Sequence, residues 1–422
     1  MTTALDASPA KARSVLTAEG VDVWHVESDV VPLVALAFAF EGGAAQDPET
    51  RPGTAQMLAR LLDEGAGPLT SDAFQERLAA RAIELGFNAG PDSVSGSLKT
   101  LVRHADEAFD LLRLALHEPR FDPDAVERVR AQTVAGLRYQ QNDPGVMATK
   151  RFFAEAFPGH PYSRPVSGTV ESVQAITRDD IVALHRRLIG RGRAKVTAVG
   201  AIAVDALTAP VDAVFGRLPE AGAAPAVPPA AMAGRGAQVV VDLDVPQSVI
   251  RFGTAGVPWR DPDFIPAYVL NHILGGGAFT SRLFQEVRER RGLAYSVGTS
   301  LVSYRGAAMT WGFTATKNER VAECIAVITD EITKLATDGP GDDELQRAKD
   351  YLTGSYALGF DTSTKIAHQL TQIAQEGLGL DYIARRNALV QGVTPDDLRR
   401  AAARTIGSGP LLTVIAGRPV GV

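Results

Sequence analysis

The chain carries one pattern twice, and this duplication limits its fold more than any other feature. A strand-like run opens with Val-Pro at residue 31 and again at residue 245, a separation of 214 residues. Asp-Pro follows at residues 47 and 261, with the same separation of 214 residues. Late in each half, Thr177 and Thr394 begin matching Thr-x-Asp-Asp sequences, 217 residues apart. Anchors that recur in one order at nearly constant spacing indicate two related halves.

A segment rich in Pro, Ala and Gly separates the two halves. Residues 218–236 read LPEAGAAPAVPPAAMAGRG, a composition that sustains neither a helix nor a central strand. We therefore predict an N-terminal half at 1–217, an extended linker at 218–236 and a C-terminal half at 237–422. Strand-like and amphipathic helical runs alternate in each half, so the predicted class is α+β, a mainly antiparallel sheet covered by helices.

The periodicity of apolar residues assigns individual elements. The predicted strands are 31–40, 94–101, 195–199, 238–241, 249–254, 295–302, 307–315 and 411–416. The predicted helices include 54–62, 71–82, 105–116, 123–142, 265–274, 318–337 and 343–358. Thr177 and Thr394, each followed by acidic residues, are predicted helix N-caps.

Composition excludes several function classes. Of 422 residues, 45% are hydrophobic and 22% charged, which fits two globular domains. The net charge is −6 and basic residues are interspersed with acidic ones, so no general affinity for nucleic acid or anionic membranes is expected. No apolar run reaches the roughly 18 residues of a membrane span. The start does not resemble a secretory signal, which predicts a cytoplasmic protein, or a periplasmic one if the chain is already processed. The single cysteine, Cys324, is predicted to be a packed thiol.

The first helix of the N-terminal half carries a specific frame, GTAQMLARLLDEG at 53–65. It resembles the pitrilysin-like peptidase family, which includes insulin-degrading enzyme and the mitochondrial processing peptidase. Members carry His-x-x-Glu-His at this point. Two histidines four residues apart share a helix face and hold zinc, and the glutamate activates the bound water. This sequence has Gln56, Ala59 and Arg60 in place of the first histidine, the glutamate and the second histidine.

The resemblance places a third zinc ligand, normally glutamate, at Ala135 or Gly136. All three ligands and the general base are therefore missing, and we expect neither a metal nor another cofactor in this chain. The seven histidines offer no replacement, because no two stand three or four residues apart and no Cys-x-x-Cys is present. No Gly-x-Ser-x-Gly sequence indicates a serine nucleophile.

The C-terminal half carries a second family-like motif. Arg288 and Tyr295 stand seven residues apart around Gly292-Leu-Ala, as in the family's C-terminal signature. A helix that ends near the arginine and a strand that begins near the tyrosine would project both side chains into one cleft. Guanidinium and phenol groups suit a peptide carbonyl and its oxyanion. The alternative interpretation is an ordinary solvated Arg/Glu-rich helix end followed by a packing aromatic residue.

The glycine run just before this motif has two interpretations. Gly275, Gly276 and Gly277 are typical of a helix C-terminus. A glycine-rich loop contacts substrate in the zinc-lacking subunit of the processing peptidase, so these glycines are also candidate substrate contacts.

The resemblance extends over nearly the whole chain and implies a function. Bacterial members of this length often come as two different subunits, one carrying zinc and the other carrying the Arg/Tyr pair. It implies that this chain is the noncatalytic subunit, inactive alone, with Arg288 and Tyr295 contacting peptide substrates in trans. Zinc is expected on a homologous partner subunit, and each chain is expected to form one bowl of a clamshell. The alternative is a structural or binding homologue without a peptidase role, like the core subunits of respiratory complexes.

Overall fold

A computed structural model describes residues 11–422, which divide into two compact units. Unit 1 contains the described residues through Leu137 together with Pro165–Ala226 and Tyr356–Ala384. Unit 2 contains Arg138–Arg164, Val227–Ser355 and Arg385–Val422.

The strands of the described chain are β1 Arg13–Leu16, β2 Asp22–Glu27, β3 Leu33–Glu41, β4 Glu84–Ala89, β5 Ser93–Leu101, β6 Ala194–Gly200, β7 Gln238–Val241, β8 Gln247–Ala255, β9 Ala294–Ser303, β10 Ala308–Lys317 and β11 Leu412–Ala416. The α-helices are α1 Thr54–Leu61, α2 Ser71–Ala80, α3 Ala105–His117, α4 Pro123–Tyr139, α5 Pro144–Ala156, α6 Val170–Ala175, α7 Arg178–Leu188, α8 Val204–Val211, α9 Phe264–Asn271, α10 Val321–Asp338, α11 Asp342–Gly354, α12 Ser363–Gln375, α13 Tyr382–Gln391 and α14 Pro395–Arg404. Residues 11–422 also contain three π-helical segments, Asp212–Gly216, His272–Gly276 and Phe284–Arg290.

The sheet of unit 1 has the strand order β1-β2-β6-β3-β5-β4. Only the β2–β6 pair is parallel. The central strand β3 is buried along almost its whole length, as its apolar sequence LVALAFAFE requires. The edge strand β4 is mostly half-buried or exposed. Its sequence ELGFNA carries a weak strand signal, which is why the periodicity missed it.

The sheet of unit 2 repeats this arrangement as β7-β11-β8-β10-β9. Its one parallel pair is β7–β11, the counterpart of β2–β6. Cys324 of α10 lies in the apolar core of this unit, and burial raises the pKa of its thiol to about 11. This is the packed thiol that the sequence predicts.

Each sheet is covered in part by a helix from the other half of the sequence. Helix α12 comes from the C-terminal half but packs on β3 and β6 in unit 1, where the hydroxyls of Thr371 and Thr197 are 2.5 Å apart. Helix α5 comes from the N-terminal half but packs on β8 and β11 in unit 2, where Arg251 donates to the Thr149 hydroxyl at 3.0 Å. A Cβ at position 253 would lie 2.7 Å from the Phe152 ring, so Gly253 lets α5 approach the sheet.

The predicted α+β class with mainly antiparallel sheets is confirmed, and the predicted strands are observed with ends shifted by about two residues at most. Thr177 and Thr394 are N-caps, each in a capping box with an aspartate. The predicted helical run 265–274 is observed, and its last turn is π-helical because α9 widens into the segment His272–Gly276. Between Leu218 and Gly236 the structure shows no helix or strand apart from one bridge, of Glu220 with Arg191. The limits of the two predicted halves stay a prediction. Within residues 11–422, no helix has both the length and the apolar character that a membrane span needs.

Candidate functional site

One candidate site is helix α1 of unit 1, and a buried carboxylate determines where this helix begins. The Asp47 side chain accepts hydrogen bonds from the backbone N–H groups of Gly53 and Ala55, at 2.7 and 2.8 Å. Gly53 has φ = +101°, a left-handed conformation that a residue with a side chain adopts only with strain. The carboxylate neutralises the positive end of the helix dipole and orients α1 in the unit.

Helix α1 presents an amide, a methyl group and a guanidinium at the positions where the resemblance places two zinc ligands and the general base. Gln56 is half-buried, Ala59 is only 1% exposed, and Arg60 is exposed. Arg60 Nη1 donates to the Thr133 hydroxyl on α4 at 3.2 Å. Its permanent positive charge therefore lies between α1 and α4, where it opposes binding of a dication. These residues do not fit zinc.

Helix α4 offers no replacement ligand. Ala135 and Gly136, the positions that the resemblance assigns to the third ligand, are both exposed. Gly136 lies one helical turn after Thr133, and a Cβ built there would meet no atom within 4 Å. Among residues 11–422, no three His, Cys, Asp or Glu side chains are grouped so that they could hold a metal ion.

The end of α1 carries an unusual carboxyl group. Burial raises the pKa of Asp63 to about 6, and the negative charge of Glu64 acts in the same direction. Between about pH 4 and pH 6, Asp63 is therefore protonated in the folded protein but ionised in the unfolded chain, whose carboxyl pKa is near 3.8. The stability that this proton contributes is fully present below about pH 4 and is lost as pH rises through about 6.

We expect Asp63→Asn to raise the free energy of unfolding at pH 7 by about 1–3 kcal/mol, because the amide carries no charge to desolvate. At pH 4 the variant and the parent should be equally stable. Urea unfolding at both pH values measures this, with exposed Asp29→Asn as the control. Equal stability of variant and parent at pH 7 would show that the Asp63 carboxylate is solvated.

A separate candidate site lies in unit 2, around Arg288 and Tyr295. Arg288 belongs to the π-helical segment Phe284–Arg290, which extends two residues further than the sequence predicts. Gly292 follows with φ = +57° and reverses the chain, and Tyr295 is the second residue of β9. The predicted glycine break between helix and strand is confirmed.

The structure brings Arg288 and Tyr295 into contact. The Arg288 guanidinium carbon lies 4.8 Å from the centre of the Tyr295 ring and 4.8 Å from that of Phe284. Tyr295 is 83% exposed, whereas Phe284 is 6% exposed. Among the described residues, Arg288 forms an ion pair only with Glu289, whose carboxylate oxygen lies 3.8 Å from Arg288 Nε, too far for a hydrogen bond. A guanidinium and a phenol thus stand side by side, able to donate to a carbonyl or an oxyanion.

The three glycines before this pair have packing reasons of their own. A Cβ on Gly275 would lie 2.8 Å from the Thr299 backbone nitrogen of β9. A Cβ on Gly276 would lie 2.6 Å from the Asn271 amide, and one on Gly277 would lie 2.7 Å from the His272 carbonyl oxygen. Contact of Gly275, Gly276 and Gly277 with substrate stays a prediction.

Sequence reasoning missed one residue at each of these two candidate sites. Thr133 contacts Arg60 across two helices, and no spacing rule connects positions 73 residues apart. Phe284 lies four residues before Arg288, a separation at which helical side chains meet, so it could have been found.

Two family profiles match the chain in succession. The profile described as Insulinase (Peptidase family M16) matches residues 23–170. The profile described as Peptidase M16 inactive domain matches residues 175–352.

Individual proteins match over most of the chain. The non-peptidase homolog YmxG of Helicobacter pylori is 27% identical over 86% of this chain and 84% of its own length. An uncharacterized zinc protease of Mycobacterium bovis is 30% identical over 76% of this chain and 74% of its own length. A crystal structure of a peptidase M16 inactive domain from Pseudomonas fluorescens has a TM-score of 0.91 at 26% identity, covering 97% of this chain and 98% of that one. A protease from Helicobacter pylori shares the fold, with a TM-score of 0.87 at 18% identity over 96% of this chain and 99% of that one.

Proposed function

Since this chain belongs to peptidase family M16, we propose that it is the noncatalytic, zinc-lacking subunit of a two-chain metallopeptidase. In this proposal, a homologous partner holds the zinc and the general base. This chain supplies Arg288 and Tyr295 to the peptide substrate in trans.

The contact between Arg288 and Tyr295 carries this proposal. The Arg288 guanidinium carbon lies 4.8 Å from the ring centre of the exposed Tyr295, although Gln56, Ala59 and Arg60 stand at the zinc-motif positions. The arginine has no carboxylate at hydrogen-bonding distance among the ion pairs of the described residues, so its donors can reach a ligand. A fixed cation and a neutral donor lower the energy of the oxyanion that forms when water attacks a peptide carbonyl.

The residues that stand at the zinc-motif positions of α1 support the assignment of zinc and the general base to the partner. Arg60 adds a charge that repels a dication, and Ala59 offers no group that accepts a proton. We therefore infer that the chain alone does not hydrolyse peptides. Two of the names agree with this inference, the non-peptidase homolog and the inactive-domain profile, whereas one relative is named a zinc protease. A cytoplasmic location stays a prediction.

The test is a peptidase assay with a quenched peptide, using the chain alone, a homologue with an intact His-x-x-Glu-His motif alone, and both together. We expect activity only from the mixture, and its loss on addition of a zinc chelator. Arg288→Ala should lower the kcat of the mixture about 100-fold and Tyr295→Phe about tenfold, as expected for loss of oxyanion donors. Arg290→Ala is the matched control, because Arg290 lies in the same segment but pairs with Glu286.

Three outcomes would contradict the proposal. One is activity of this chain alone that survives the chelator, and another is a mixture that the Arg288 and Tyr295 substitutions leave unchanged. A complex that forms without peptidase activity would favour the alternative, a structural or binding homologue.

A further inference from the structure

Arg288 lies between two aromatic rings, and this arrangement distinguishes it from the arginines beside it. Its guanidinium carbon is 4.8 Å from the centres of both the Phe284 and Tyr295 rings. Phe284 is in turn contacted edge-on by Phe279, at 5.0 Å between ring centres. Phe279 is 68% exposed and Phe284 only 6%, so Phe284 is the buried ring of this pair.

The neighbouring arginines are held by a carboxylate instead. Arg290 and Arg291 both form ion pairs with Glu286, whose side chain is 12% exposed. Arg288, in contrast, has only Glu289 as an ion-pair partner among the described residues, at 3.8 Å from its Nε. Aromatic contacts, rather than hydrogen bonds to a carboxylate, therefore determine where its guanidinium lies.

This difference has a chemical consequence. A carboxylate that held Arg288 would occupy its N–H donors and neutralise its charge. Ring faces attract the guanidinium through their quadrupoles and leave the N–H groups at its edge available. Tyr295 is 83% exposed and cannot alone fix a long side chain, whereas buried Phe284 is packed in the core of unit 2.

We propose that Phe284 is a positioning residue for Arg288, holding the guanidinium beside Tyr295 with its donors free for a peptide carbonyl. The effect on catalysis rests on the function proposed above. The position of the Arg288 side chain itself does not, and can be measured in this chain alone.

The first measurement follows the Nε–H signal of Arg288 by NMR in protein labelled on arginine. In the parent chain we expect an upfield ring-current shift and a high order parameter, with Arg290 as the internal comparison. Phe284→Leu, which keeps an apolar side chain but removes the ring, should reduce both. Phe264→Leu is the matched control, because Phe264 is 4% exposed in the same unit and stacks on Trp259 instead. If Phe284→Leu does not fold, the parent spectrum still decides, since an Arg288 signal as mobile and unshifted as that of Arg290 would overturn the proposal.

The second measurement is a double-mutant cycle on the activity of the two-chain mixture. Phe284→Leu should lower kcat about tenfold and leave KM within about twofold, because it disorders a group needed in the transition state. In an Arg288→Ala background, the same substitution should change kcat by less than about twofold. A full tenfold effect in that background would mean that Phe284 acts independently of Arg288 and would overturn the proposal.

The two measurements separate the two proposals. If Phe284→Leu mobilises Arg288 but the mixture does not depend on Arg288, positioning stands and the proposed function fails. If the mixture depends on Arg288 but the NMR signal is unaffected by Phe284→Leu, the proposed function stands and positioning fails.

Discussion

The N-terminal half expressed alone, residues 1–217, is expected not to form a stable folded protein. One face of its sheet is covered by α12, which packs on β3 and β6 and comes from the C-terminal half. The side chains of Ile366, Leu370 and Ile373 on α12 are at most 6% exposed in an apolar cluster with the strands of unit 1. Burial of each contributes about 1.5–3 kcal/mol, so loss of α12 removes about 5 kcal/mol or more. A typical domain has only about 5–15 kcal/mol of stability in total.

Solubility, size-exclusion chromatography and urea unfolding of the fragment measure this prediction. Co-expression with residues 237–422 should restore a soluble complex, because that fragment supplies α12 and receives α5. The matched control is the same co-expression with Leu370→Asp and Ile373→Asp in the C-terminal fragment, which should abolish the rescue. A monomeric 1–217 fragment that unfolds cooperatively would show that α12 is dispensable.

A zinc site is expected to reappear when three residues are replaced together, Gln56→His, Arg60→His and Gly136→Glu. The two histidines would share one face of α1, four residues apart. A side chain at Gly136 has open space, one turn from the Thr133 hydroxyl that Arg60 contacts. Removal of Arg60 also removes the charge that opposes a dication. We expect one zinc per chain with a Kd of about 1 µM or tighter, at least about 4 kcal/mol better than a parent that shows no binding at 1 mM.

Calorimetric titration of zinc into the folded variant measures this result. The control is Gln56→His, Arg60→Ala and Gly136→Glu, which keeps two ligands and should bind far more weakly. Equal zinc affinity of the two variants would contradict a shared site for the three positions. The variant should bind zinc without hydrolysing peptides, because Ala59, 1% exposed, still stands in the place of the base.

Local signals were sufficient for much of the fold and part of the site. The duplicated anchors, the apolar run of β3 and the Thr-x-Asp-Asp caps at Thr177 and Thr394 are properties of short segments, so the α+β class follows from them. The loss of the zinc motif is also a local fact, since Gln56 and Arg60 share a helix face whatever surrounds them. The approach of Arg288 and Tyr295 was also predicted from a short segment, because only seven positions separate the two residues.

Other features depend on contacts between distant segments. Short or half-exposed strands such as β1, β2 and β4 have little periodicity, and neighbouring strands determine their pairing. The packing of α5 and α12 on the sheet of the opposite half has no sequence signal. An amphipathic pattern predicts that a helix packs on a sheet but not on which sheet. Thr133 reaches Arg60 only because α1 and α4 pack together.

The sequence by itself determined that the chain is a duplicated α+β protein without the ligands for zinc, because these properties lie in residue identity and short spacing. Only the tertiary structure decided that each sheet packs against a helix from the other half of the sequence and that Arg60 contacts Thr133. Such contacts join surfaces whose complementarity exists only after the chain has folded.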